Sequence, residues 1–186
     1  MTQDERRLPQ LEFIGDATTF AGTIHGMVGF SPLFGHLDLS DIRLLSQFLQ
    51  VYRAQSGGEI IREGDPGDFL MFVIEGRIEV IKKDRQRAPR VIAVVEPGQT
   101  LGEMSMIDGE PRFATCIAAT PALLAVLTRD SFARIILDQP LLGAKILMEM
   151  VHMLSLRLRR TSARLLAHLD RERDIREAGR DGAGFV

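Results

Sequence analysis

Two residues of opposite charge, Glu103 and Arg112, stand nine positions apart in the stretch LGEMSMIDGEPRFATC, with Asp108, Gly109 and Pro111 between them. Arg112 offers a planar fork of donors that matches a pair of phosphate oxygens. Glu103 offers acceptors suited to sugar hydroxyls. Gly102 leaves room for another molecule to approach closely. Residues Gly102 to Met106 are expected to form one helical turn whose free backbone N–H groups face an anion, and Ser105 adds a hydroxyl there. A bare phosphate would be repelled by Glu103, whereas a sugar phosphate suits both ends of the set. The same residues admit a plainer reading, a surface ion pair between Glu103 and Arg112 worth about 0–1 kcal/mol.

The surrounding elements must hold these groups in place. A helix is expected from Leu39, capped by Ser40, with Ile42, Leu44, Leu45, Phe48 and Leu49 at helical spacing. The period then shortens. Strands are predicted at Val51 to Gln55, Glu59 to Arg62, Phe69 to Ile74, Arg77 to Lys82, Val91 to Val95, Thr115 to Ala119 and Leu123 to Thr128. Turns such as Asp65-Pro66-Gly67-Asp68 and Glu96-Pro97-Gly98 separate them. Short strands at nearly regular spacing describe an all-β barrel or jelly roll. A short helix follows over Arg129 to Leu137, then a long one from Pro140 to about Ala178. In the long helix Leu147, Val151, Leu154, Leu158, Thr161 and Leu165 recur every three or four positions, a heptad seam with one polar member. A helix of that length would extend beyond a small barrel, so the seam predicts a second copy as its partner. The alternative is that it lies on its own barrel. Residues 1–35 give a mixed signal, either a short helix laid on the core or an arm reaching a partner. The expected organisation is a lead-in over 1–35, a β body over 36–139, a long helix over 140–178 and a flexible tail over 179–186.

Composition narrows the function classes. The net charge of −2 gives no basic field for DNA or anionic lipid. The 45% hydrophobic and 26% charged residues are those of an ordinary globular chain. No apolar run approaches the roughly 20 residues needed to span a bilayer. The first residues, MTQDERRLPQ, lack the apolar core of a secretory signal, and a single cysteine, Cys116, allows no internal disulfide. A cytoplasmic location is expected. The charged stretch after Leu169 leaves no sequence for a helix-turn-helix, so direct DNA binding by this chain is not expected. The four histidines lack metal-ligand spacing, and no nucleophile motif, Walker loop or dinucleotide fingerprint occurs. The expectation is a non-enzyme with no metal and no cofactor. Asp108 and Glu110 read as solvated turn residues.

The stretch from Gly102 to Thr115 resembles the phosphate-binding cassette of the cyclic nucleotide-binding domain family. Gly102, Glu103, Ser105, Pro111, Arg112, Ala114 and Thr115 carry the resemblance, and Ile61-Arg62-Glu63-Gly64-Asp65 and Val73-Ile74-Glu75-Gly76 resemble the family's barrel hairpins. It implies a mainly β fold with α: a β jelly roll (double-stranded β-helix) with flanking helices and a long C-terminal dimerisation helix. It implies that Glu103 binds the ribose 2′-hydroxyl and Arg112 the cyclic phosphate, within a ligand-binding set of Leu101, Gly102, Glu103, Met104, Ser105, Arg112, Phe113 and Ala114. Arg157-Leu158-Arg159-Arg160-Thr161-Ser162 is similar to the sensor helix of the bacterial catabolite activator (Crp/Fnr-type) branch, where the Thr and Ser contact adenine. Thr161 and Ser162 join the set on that ground, although residues of these types also simply face solvent or bond to an i−4 carbonyl. Phe113 departs from the pattern, standing where relatives carry Ser, Thr or Ala. Its ring either points away or stacks on the ligand.

The expected function is therefore a free-standing, non-catalytic regulatory receptor for a cyclic nucleotide. Cyclic AMP is the first choice and cyclic GMP or cyclic di-GMP are alternatives. The expected partners are a second copy through the long helix and an unidentified protein effector, with no membrane. Two other readings compete: a ligand-independent dimeric interaction module with a degenerate pocket, and a shortened transcription regulator acting through a heterodimer.

Overall fold

The computed structural model describes residues 8, 10–27, 31 and 34–181, with side-chain detail for all of these except 168 and 172–181. It divides into two compact units, Met1–Glu149 and Met150–Val186. The first is built on two antiparallel sheets.

The strands are β1 (Glu12–Asp16), β2 (Gln50–Ala54), β3 (Glu59–Ile61), β4 (Phe69–Glu75), β5 (Ile78–Lys83), β6 (Pro89–Val95), β7 (Thr100–Leu101), β8 (Thr115–Ala118) and β9 (Ala122–Thr128). One sheet has the order β1-β2-β9-β4-β7, the other β3-β8-β5-β6. The helices are α1 (Ala21–Gly26), α2 (Leu39–Ser46), α3 (Glu103–Asp108), α4 (Arg129–Asp138) and α5 (Pro140–Asp181), and a 3-10 turn covers Ala17–Phe20.

The burial pattern follows from position in the sheet. β4 and β9 sit side by side in the five-stranded sheet, and nearly every residue of both is buried. A strand covered on both faces reads as a continuous apolar run, and FLMFVI is one. Phe69, Met71 and Val73 face the core between the sheets, where they meet Ile60, Ile61, Ile78 and Cys116. The alternate residues face the other way, so that Phe72 meets Phe34 ring to ring at 4.5 Å. β6 is the edge strand of the smaller sheet, and its residues up to Val94 are all exposed.

Three local expectations change. The cap of α2 is Asp38, not Ser40: the Asp38 side chain accepts from the Asp41 amide at 2.9 Å, and Asp41 returns the bond to the Asp38 amide. A carboxylate at that position accepts from the helix terminus and complements its dipole. The segment over 1–35 does supply a short helix, α1, with Ala21 and Ile24 buried, but it also contributes an unexpected strand, β1, paired antiparallel with β2, so the five-stranded sheet begins at Glu12. Of that segment, residues 1–7, 9, 28–30 and 32–33 lie outside the described residues. The third change is β7, two residues that pair with Met71 and Phe72 of β4. Of the expected tail over 179–186, residues 182–186 lie outside the described residues.

In the second unit α5 continues as helix to Asp181. Val151, Leu158 and Leu165 of the seam are exposed in the single chain, as is Leu147 in the first unit. Among the described residues no helix is long and apolar enough to cross a membrane.

Candidate nucleotide-binding site

The site is assembled where β7 gives way to α3. Leu101 pairs with Met71, and the next residue, Gly102, turns the chain at φ +81°. This left-handed conformation suits glycine. A Cβ there would also fall 2.7 Å from Arg112 Nη1. α3 then carries Glu103 and Ser105 inward, both almost fully buried, while Met104 and Ile107 face out. Arg129, at the start of α4, donates to the Ser105 carbonyl at 2.8 Å and to the Met106 carbonyl at 2.9 Å. These bonds satisfy the free end of a helix too short to hold itself.

Arg112 arrives from the other side. Its amide donates to the Asp65 carbonyl at 2.8 Å, and its carbonyl accepts from Gly64 at 2.9 Å. The turn after β3 and the start of β8 are thus stitched together, and the side chain is directed inward. Only 4% of Arg112 is exposed. Its guanidinium carbon lies 4.1 Å from the centroid of the Phe69 ring, and Nη1 donates to the Gly102 carbonyl at 2.7 Å. Gly67 makes the space: a Cβ there would sit 2.0 Å from Arg112 Nε. Nη2 is buried with no hydrogen-bond partner among the described residues. Burial lowers the affinity of Arg112 for its proton, while Cys116, Asp68 and Glu103 act in the opposite direction. A guanidinium stays charged in such a setting.

A cavity of about 330 Å³ opens beside Arg112, walled by Ile60, Ile61 and Phe69 and by Leu8 and Gln10 of the N-terminal segment. Its volume is at the small end of the range for ligand sites. Among the described residues, Glu103, Ser105, Phe113 and Ala114 are not part of its wall.

The structure thus brings Leu101, Glu103, Ser105, Arg112 and Ala114, all buried, and the half-buried Gly102 together around the β7–α3 turn and the start of β8. Met104 and Phe113 belong to the same segments but face outward, Phe113 with 55% of its surface exposed. The Phe113 ring lies under the Lys82 ammonium at 4.3 Å, and the Phe113 carbonyl accepts from Lys82. Thr161 and Ser162 lie on α5 in the second unit, both exposed. Asp108, expected in a turn, is instead the last residue of α3, and Glu110 follows it just past the helix end; both are exposed. Sequence reasoning missed four participants: Phe69, which stacks on Arg112, Gly67, which makes room for it, Lys82 and Arg129. For Gly67 a signal was available, because a second glycine in a turn already broken by proline asks for a reason.

The family model described as a cyclic nucleotide-binding domain matches residues 51–139. A cyclic nucleotide-binding domain of known crystal structure from Methylobacillus flagellatus is 36% identical, superposes with a TM-score of 0.79, and the match covers 86% of this chain and 90% of that one. The cAMP-dependent protein kinase regulatory subunit of Yarrowia lipolytica is 34% identical over 116 residues, 62% of this chain and 30% of that protein. The CRP-like cAMP-activated global transcriptional regulator of Mycobacterium tuberculosis is 27% identical over 133 residues, 72% of this chain and 58% of that protein. The chain belongs to the cyclic nucleotide-binding domain family, and its fold is the family's pair of antiparallel sheets with flanking helices. It spans less than two thirds of the length of either curated relative, and both of those are regulatory proteins by name.

Proposed function

We propose that this chain is a non-catalytic regulatory receptor for a cyclic purine nucleotide, with cyclic AMP the first ligand and cyclic GMP or cyclic di-GMP the alternatives. The observation that carries the reading is the Arg112 guanidinium, buried in a slot kept open by two glycines, with Nη2 lacking a hydrogen bond. A buried donor without an acceptor costs about 1–3 kcal/mol, more when charged, and a phosphate oxygen is the acceptor that would relieve it. In this reading Arg112 holds the cyclic phosphate together with the amides near Glu103 and Ala114, and Glu103 takes the ribose 2′-hydroxyl. The names of the two curated relatives, which specify cAMP dependence and cAMP activation, favour adenine.

The exposed seam of α5 supports pairing with a second copy, with Thr161 and Ser162 reading the base and the helix passing the signal to a protein effector. Isothermal titration calorimetry with cyclic AMP and cyclic GMP tests the reading. Wild type should bind one of them with micromolar or tighter affinity, and Arg112→Ala should weaken that binding at least a hundredfold. Absence of heat for the wild type at millimolar nucleotide would refute it.

Two observations favour a second reading, a module that works without ligand. Arg112 Nη1 is already committed to the Gly102 carbonyl, and Phe113 brings no hydroxyl to the site. Under this reading Phe113→Ser would create binding where wild type has none. Under the first it would strengthen binding already present.

A further inference from the structure

We infer that Lys82 is a second ligand-contacting cation of the phosphate site, held in reserve by Glu63. This rests on the receptor reading above and assigns a residue outside the cassette to the same site.

The register places it. β5 runs antiparallel to β8 with Val80 opposite Cys116 and Ile81 opposite Thr115, so Lys82 comes next, level with Ala114. Side chains alternate along a strand. Ile78 and Val80 point to the core between the sheets, and Lys82 continues their row. On the opposite flank of β8, Ile61 pairs with Cys116 and also faces the core, and Glu63 lies two residues further on. Lys82 and Glu63 thus approach each other from the two strands that flank β8, beside the outward-facing Phe113 and one residue along from Arg112.

The contacts agree. Lys82 Nζ donates to Glu63 Oε1 at 2.9 Å and to the Phe113 carbonyl at 2.5 Å, above the Phe113 ring. A lysine ammonium has three donors on a flexible stem and can change partners. Lys82 is 33% exposed at its side chain, so its charge is open to a ligand arriving at this turn. Phe113 supplies no hydroxyl, and its ring and carbonyl instead hold a cation one residue from Arg112. A nucleotide phosphate would draw the ammonium from Glu63. Glu63 both positions Lys82 and competes with the ligand for it, which sets the sign of each substitution.

The test measures cyclic AMP affinity by calorimetry over 50–500 mM NaCl, with melting temperatures to verify folding. Lys82→Met should weaken binding about tenfold or more, the size of one charged hydrogen bond, and should flatten its salt dependence. Lys82→Arg should stay within about threefold of wild type, and Glu63→Gln should tighten binding by releasing the ammonium. A purely structural lysine would alter the melting temperature without changing the salt slope. If wild type binds and Lys82→Met binds within twofold of it with the same salt slope, this inference fails and the receptor reading stands. If wild type binds no cyclic nucleotide, both fail together.

Discussion

The Arg112 guanidinium lies over the Phe69 ring at 4.1 Å, cation against π face, while its Nη1 is fixed to the Gly102 carbonyl. Phe69 belongs to one sheet and Arg112 leads into a strand of the other, so this contact ties the two layers at the mouth of the site. An aromatic face stabilises a desolvated cation without taking up its donors. The arginine is thereby oriented by contacts that leave Nη2 available, which is the condition for a preformed anion site.

Gly67 is the first place to test that orientation. Alanine there would set a methyl group 2.0 Å from Arg112 Nε and 2.7 Å from Cδ, too close for either to remain. Gly67→Ala should displace the guanidinium, destabilise the fold by about 1–3 kcal/mol in urea titrations and abolish nucleotide binding. Full binding in the variant would show that the slot is not required.

Arg129 carries two carbonyls of α3. Arg129→Ala should cost about 1–2 kcal/mol, below the full worth of two charged hydrogen bonds because the residue is partly solvated. It should also loosen the turn that presents Glu103. Faster amide hydrogen exchange over residues 103–108, with slower exchange unchanged in β4 and β9, would be the signature.

The cassette was legible because spacing, glycine placement and residue chemistry all pointed the same way, and β4 was legible because a strand buried on both faces cannot hide its apolar run. α5 was legible from its seam. β1 escaped because it is a half-exposed edge strand with a shift in register between Phe13 and Gly15, which breaks the alternation a reader looks for. β7 is two residues long and exists only because β4 offers it an edge. The cap of α2 was misplaced by two residues because Asp38 and Ser40 are both good caps and only the backbone decides between them. Lys82 and Phe69 could not be read at all, since their roles depend on partners distant in sequence, Glu63 and Phe113 for one and Arg112 for the other, brought close by the pairing of strands and sheets.

Burial pushes the Cys116 thiol up to about 12. The native protein thus holds this proton more tightly than the unfolded chain, whose thiol has a value of roughly 8.5. The resulting stability is complete below that lower value and is lost as the pH rises through the folded-state value. Native protein should therefore resist thiol reagents at pH 8 and react only on unfolding, and a Cys116→Ala variant should lose less stability between pH 9 and 11. Rapid labelling of the native protein at pH 8 would contradict the buried placement.

The α5 seam makes a separate prediction. Val151 and Leu158 are exposed in the single chain and occupy seam positions. Replacing both with Asp should convert a dimer to a monomer in sedimentation velocity while leaving the melting of the β unit nearly unchanged. A wild-type chain that sediments as a monomer at 100 μM would remove the seam from the account.

The most direct test is a crystal structure of the chain grown with cyclic AMP at saturating concentration. A phosphate oxygen is expected at about 2.7–3.1 Å from Arg112 Nη2, with the ribose 2′-hydroxyl donating to the Glu103 carboxylate. A nucleotide bound away from both residues, or an Arg112 that keeps its present contacts with no nucleotide beside it, would contradict it.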